Sequence, residues 1–164
     1  MTHDVIIIGG GSAGYAAART ARDAGADVAI IDHGPLGGLC ILRGCMPTKT
    51  ILRSSDVIAL MRRAKEFGLK PAATTADLAA IIDRKDRLVR EFADDRIREL
   101  HDTQFTLYQE HATFRSTHEV QAGDQLLKAK AFIIATGSMP ARLPIPGLEA
   151  AGYVTSDEVL DLRQ

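Results

Sequence analysis

Val5-Ile6-Ile7-Ile8 runs directly into Gly9-Gly10-Gly11-Ser12-Ala13-Gly14, and this junction restricts the fold more than any other stretch. A short, mostly β-branched apolar run reads as a strand buried on both faces, as in a parallel sheet. The alanine-rich stretch from Tyr15 reads as a helix that ends near Gly25. Val28-Ala29-Ile30-Ile31-Asp32 then reads as a second buried strand. Together they span about 30 residues, the size of a β-α-β unit.

Gly9, Gly11 and Gly14 occupy the positions of G-x-G-x-x-G between that strand and that helix. The first glycine permits the tight turn, and the second lets the backbone approach a pyrophosphate. The third lets helix and strand pack closely. The exposed N–H groups and positive dipole end of the helix favour the phosphates. Asp32 closes the second strand, with seventeen residues between it and Gly14. A carboxylate there accepts hydrogen bonds from both ribose hydroxyls of an adenosine and repels a 2′-phosphate. A ligand-free glycine turn is the plainer alternative, and the strand, helix and acid around the loop argue against it. FAD and NAD both use such a cradle, so the spacing leaves the dinucleotide open.

The chain has 164 residues and a formal net charge of −1. That length suffices for one ordinary domain with a real core. The near-neutral charge offers no basic excess for nucleic acid. No apolar run approaches the roughly 20 residues that cross a bilayer. Met1 precedes the first strand with no charged leader region, so no secretory signal is expected. A cytoplasmic location without membrane association is the expectation. In that compartment a close cysteine pair is more often redox-active or metal-binding than a static staple.

Cys40 and Cys45, the only cysteines, lie in GGLCILRGCMPTK, Gly37 to Lys49. The spacing is not that of a structural zinc site, no second cysteine pair exists, and His33 is the only histidine nearby. Two unrelated buried thiols would leave Gly37, Gly38 and Gly44 without a reason. These glycines point to a backbone that comes close to something flat or bulky. A reversible disulfide fits better. Positions i and i+5 of an ideal helix lie about 8.6 Å apart at Cα, beyond the roughly 7 Å that a disulfide bridges. Closure therefore requires an irregular helical turn, and Gly44 is placed to supply it. A helix start near the pair and the cation Lys49 would favour a thiolate.

Residues 51–68 and 76–100 carry apolar residues at helical spacing, with 70–75 as the connection of a helical hairpin. From Phe105 the period changes. Residues 105–114, 118–123 and 125–131 read as short antiparallel strands with Gly123-Asp124 as a turn. Residues 131–138 read as a further buried strand, and Ser156 or Asp157 as a helix cap.

GGLCILRGCMPTK resembles the redox-active segment of the flavoprotein pyridine nucleotide-disulfide oxidoreductases, which include dihydrolipoamide dehydrogenase, mercuric reductase and glutathione reductase. The resemblance extends to GGGSAG, Asp32, the helical pair, Ala135-Thr136-Gly137 and Ile145-Pro146-Gly147. It implies an α/β, Rossmann-like FAD-binding domain with a parallel sheet, an inserted helical hairpin and a small antiparallel β-meander. It implies that Gly9, Gly11, Ser12, Ala13 and Gly14 hold the FAD pyrophosphate and that Asp32 holds the ribose, where the family more often has Glu. Gly38 and Ala135 join the cofactor-binding set. Cys40 matches the thiol that exchanges with substrate, and Cys45 the thiol beside the flavin ring. Lys49 matches the lysine near flavin N5, Ala112 an alanine whose backbone meets the adenine, and Thr136-Gly137 the residues closing over FAD. Glu110 stands where a glycine is usual, Leu39 where a threonine is usual. Ile41-Leu42-Arg43 replaces the common wording after the first cysteine. The Leu39 and Ile41-Leu42-Arg43 departures mark a divergent branch and bear on the substrate, whereas Glu110 bears on the adenine contact at Ala112.

The implied reaction passes two electrons between NAD(P)H, FAD, a Cys40–Cys45 disulfide and an external small-molecule disulfide, dithiol or metal ion, with no metal held by the protein. Residues 1–150 are then expected to be an incomplete FAD-binding domain, and 151–164 the start of a connection to an NAD(P)-binding domain. A second nucleotide motif and the histidine-glutamate pair that the family supplies across a homodimer are not in this sequence. A self-standing nucleotide-binding or thiol-switch module is the other reading.

Overall fold

The structure is a computed structural model describing residues 1–70, 73–101 and 105–164. The chain divides into two compact units, one of Met1–Cys40 with Phe92–Ser138, the other of Ile41–Glu91 with Met139–Gln164.

The first unit is built on one six-stranded sheet. Its strands are β1 (Thr2–Ile8), β2 (Val28–Ile31), β3 (Thr106–Tyr108), β4 (Ala112–Ser116), β5 (Glu119–Ala122) and β6 (Gln125–Ile134). Their order across the sheet is β3-β2-β1-β6-β5-β4. Parallel pairing sets Val5 beside Val28 and Ala131, and Ile8 beside Ile31 and Ile134. Helix α1 (Ser12–Asp23) is the crossover between β1 and β2. Alternation then sorts the isoleucines. Ile7, Val28 and Ile30 pack with Ala18 of α1, Leu100 and Phe105. Ile6, Ile8, Ala29 and Ile31 pack on the opposite face with Tyr108, Val120 and Leu127. Each isoleucine fully removed from water contributes about 1.5–3 kcal/mol. This explains why so short a run holds the centre of the sheet.

Three expectations for this unit are corrected. Thr106–Tyr108 is no antiparallel strand of the meander. It is the parallel edge beside β2, with Thr106 opposite Ala29 and Tyr108 opposite Ile31. A parallel neighbour needs a long crossover, and the chain between β2 and β3, which contains the long helix α4 (Leu78–Leu100), supplies it. Residues 125–134 form one strand, where two were expected. Its first half pairs antiparallel with β5, and from Lys128 it pairs parallel with β1. Its end is also not buried: Ile133 and Ile134 are 38% and 67% exposed. The β5 pairing stops at Lys128, which leaves these residues a strand neighbour on one side only among the described residues.

In the second unit, α3 (Cys45–Arg62) starts at the second cysteine and ends in a 3-10 turn, Ala64–Phe67. The expected connection at 70–75 lies partly outside the described residues. The amino-terminal part of α4 belongs to this unit, and Arg84 on it donates from Nη1 to the Thr50 carbonyl at 3.1 Å. Helix α5 (Ser156–Val159) is capped by Thr155, and neither Ser156 nor Asp157 is the cap. The Asp157 N–H donates to the Thr155 hydroxyl oxygen at 3.2 Å, and the Thr155 N–H donates to Glu158 Oε2 at 2.7 Å. That reciprocal pair is a capping box. Among the described residues no helix is long and apolar enough to cross a membrane.

Candidate functional site

The loop between β1 and α1 is held at both ends by backbone. The Gly9 N–H donates to the Ile31 carbonyl at 2.8 Å, and the Tyr15 N–H to the Gly11 carbonyl at 2.8 Å. Gly14 is buried against the Gly9 carbonyl, where a β-carbon would overlap the oxygen. This is the helix–strand contact that the third glycine of the motif permits. Gly9 lies against the backbone of Ala135, so the loop and the Ala135-Thr136-Gly137 turn are neighbours. Ser12 and Ala13 are exposed, and no side chain caps α1. The first-turn amides and dipole of this twelve-residue helix are thus open to an anion.

Asp32 reaches back to this loop. Its Oδ2 accepts from the Gly10 N–H at 2.6 Å, and its Oδ1 from the Gly34 N–H at 2.7 Å. A carboxylate has about four acceptor positions, so each oxygen has capacity beyond these two bonds. The carboxylate therefore shapes the loop, a role the spacing did not reveal.

The pairing of His33 with His111 also escaped the sequence reading. Their rings stack at 4.2 Å with an interplanar angle of 18°. They follow Asp32 and precede Ala112, the two residues matched to ribose and adenine, and tie those segments together. Ala112 pairs with Ala122 and packs on the sheet core. Glu110 lies with its side chain against the Gly123 turn, where a β-carbon on Gly123 would stand 2.8 Å from Glu110 Cδ. This glycine makes room for the unusual acid. Thr136 and Gly137 are exposed, and nothing lies within 4 Å of a β-carbon built on Gly137.

Gly38 opens α2 (Gly38–Leu42) and meets the loop directly: its β-carbon would stand 2.5 Å from Gly11 Cα. The close approach expected of the glycines before Cys40 is thus an approach to the glycine loop. Between the cysteines the helix breaks, where an irregular turn was expected. Helix α2 ends at Leu42 and α3 begins at Cys45, with Gly44 at φ −128° and ψ −111° as its N-cap. Cys40 is half-buried in α2 in the first unit. Cys45 is exposed at the start of α3, and Lys49 is exposed one turn later, both in the second unit.

These features fit a dinucleotide: an open helix start for the pyrophosphate, a carboxylate for the ribose, and backbone approaches made of glycine. A family model described as pyridine nucleotide-disulphide oxidoreductase matches residues 3–164. The chain is 38% identical over 163 residues to a mercuric reductase of Lysinibacillus sphaericus, covering 99% of this chain and 30% of that protein. It is 35% identical over 166 residues to a dihydrolipoyl dehydrogenase of Acholeplasma laidlawii, covering 98% of this chain and 49% of that protein. The Cu(II) complex of the HOCl-induced flavoprotein disulfide reductase RclA from Escherichia coli superposes with a TM-score of 0.76 at 27% identity, covering 98% of this chain and 34% of that one.

Proposed function

Because the chain belongs to the pyridine nucleotide-disulphide oxidoreductase family, we propose that it forms the flavin-binding, thiol-bearing part of an FAD-dependent disulfide oxidoreductase. The chain spans 30% and 49% of the two relatives above, so this reading concerns a longer protein. Residues 1–150 are its FAD-binding domain, and 151–164 begin the connection to a domain for NAD(P)H. A homodimer in the cytoplasm completes the reading.

The observation that carries it is the contact of Gly38 with Gly11, because it seats the segment leading into Cys40 on the pyrophosphate loop. Gly9, Gly11, Ser12, Ala13 and Gly14 hold the pyrophosphate, Asp32 the ribose, and Gly38, Ala112, Ala135, Thr136 and Gly137 the remaining backbone contacts. Lys49 stands near the flavin ring. When bound, FAD supplies a two-electron carrier between NAD(P)H and the thiols. The Cys40 thiolate attacks one sulfur of a substrate disulfide, forming a mixed disulfide and expelling the first thiol. The Cys45 thiolate then attacks Cys40 Sγ, which closes the Cys40–Cys45 disulfide and releases the second thiol. Relatives named mercuric reductase and dihydrolipoyl dehydrogenase support a small-molecule disulfide, a dithiol or a metal ion as substrate.

The test is turnover of lipoamide, oxidised glutathione and mercuric ion by the full-length protein with NADH or NADPH. One substrate should turn over, and Cys40→Ser should abolish it. Unimpaired turnover by Cys40→Ser would contradict the assignment.

A further inference from the structure

Arg43 stands between the two cysteines, on the break that separates α2 from α3. Its Nη1 donates to Asp157 Oδ2 at 3.2 Å, and the Asp157 side chain is only 19% exposed. Asp157 is not a loose surface acid. It belongs to α5, whose start is set by the Thr155–Glu158 capping box. Beyond α5, Asp161 pairs with Lys85, and Arg163 pairs with Asp83 at 2.6 Å and Asp86 at 3.0 Å. Lys85, 5% exposed, also pairs with Asp86 at 2.7 Å. A cavity of about 270 Å³ is lined by Leu42, Arg43, Pro47, Lys85, Asp157 and Asp161, among others. Residues 155–163 are therefore a strap fastened by charge along α4, and an ion pair with Arg43 ties it to the cysteine segment.

We propose that the Arg43–Asp157 pair is a positioning contact for the cysteine pair. It holds the Arg43-Gly44 break, which lies between the two cysteines in the chain, in one geometry. The inference rests on the reading of these cysteines as a redox pair. An anchored break leaves the dithiol fewer conformations to lose when the ring closes. Releasing it lowers the closure constant and makes the disulfide easier to reduce. A partly exposed ion pair is a weak contact, worth at most about fivefold in an equilibrium constant. The expected change is about threefold, or about 14 mV where a tenfold change is about 30 mV for a two-electron couple.

The experiment equilibrates the full-length protein in glutathione buffers at pH 7 and counts unreacted thiols at Cys40 and Cys45 by alkylation and mass spectrometry of the peptide that holds them. In the reaction read, two protein thiols and one glutathione disulfide give one protein disulfide and two glutathione thiols. Arg43→Ala and Asp157→Asn should each lower the closure constant about threefold, and the double variant no further. Arg43→Lys should stay near wild type. Unchanged constants in both single variants, additive losses, or an Arg43→Lys as defective as Arg43→Ala would overturn the anchor. A wild-type chain that never closes its disulfide overturns the redox reading and the anchor together. Normal closure with unresponsive variants overturns the anchor alone.

Discussion

Gly38 and Gly11 touch backbone to backbone, and a β-carbon on Gly38 would stand 2.5 Å from Gly11 Cα, so the segment carrying the first cysteine has no room for a side chain at Gly38. Gly38 also has φ +74°, a left-handed conformation that costs an L-residue about 1–2 kcal/mol. Gly68 has φ +73° with nothing within 4 Å of its β position, and so isolates the conformational cost. Gly38→Ala should destabilise the chain in urea by about 1 kcal/mol or more beyond Gly68→Ala, the excess being the overpacking cost. Equal losses would mean that the contact carries no constraint.

Gly11 separates the ligand role from the packing role. Its φ is −68°, and the nearest atom to a β-carbon there is Gly38 Cα at 3.6 Å, an ordinary contact. Gly11→Ala should therefore melt within about 3 °C of wild type, a shift below 1 kcal/mol for a chain this long. In the full-length protein it should nonetheless retain flavin at least tenfold more weakly, because the added methyl occupies the pyrophosphate approach. Flavin fluorescence after gel filtration reads the difference.

Asp32 satisfies two backbone donors at once. Asp32→Ala leaves the Gly10 and Gly34 amides without their acceptor, and an unsatisfied buried donor costs about 1–3 kcal/mol. The site is half-buried, so the lower end of that range is expected for stability in urea. Flavin retention should fall as well, since the ribose loses its acceptor.

Lys85 sets an alkaline limit on the second unit. Burial pulls its ammonium pKa down, but hydrogen bonds to Asp161 and Asp86 outweigh burial and hold it above the ordinary value of 10.5. A raised folded pKa stabilises fully below the unfolded value, and this is lost as pH climbs through the higher folded value. Wild type should therefore lose more urea stability than Lys85→Met as pH rises above about 10.5. Equal losses would contradict the ion network.

The β-α-β unit was legible because its cues agree: an isoleucine run, three glycines at fixed spacing, and an acid after the second strand. The broken helix between Cys40 and Cys45 was legible because a five-residue step does not close across a regular helix. The direction of β3 was not, since three residues from Thr106 to Tyr108 pair equally well either way and only the crossover decides. Thr155 was missed as a cap because Ser156 and Asp157 compete for the same role, although Glu158 three residues on is the capping-box signal. Arg43–Asp157 and Lys85–Asp161 join residues 114 and 76 positions apart. No local spacing reports such pairs, and only the folded chain selects them from its 20 basic and 21 acidic residues.

The most direct measurement is anaerobic reduction of the flavin-loaded full-length protein by dithionite or NADH, followed by absorbance at long wavelength. A charge-transfer band should appear in wild type and vanish in Cys45→Ser. An unchanged band in Cys45→Ser would contradict the placement of that thiol beside the flavin.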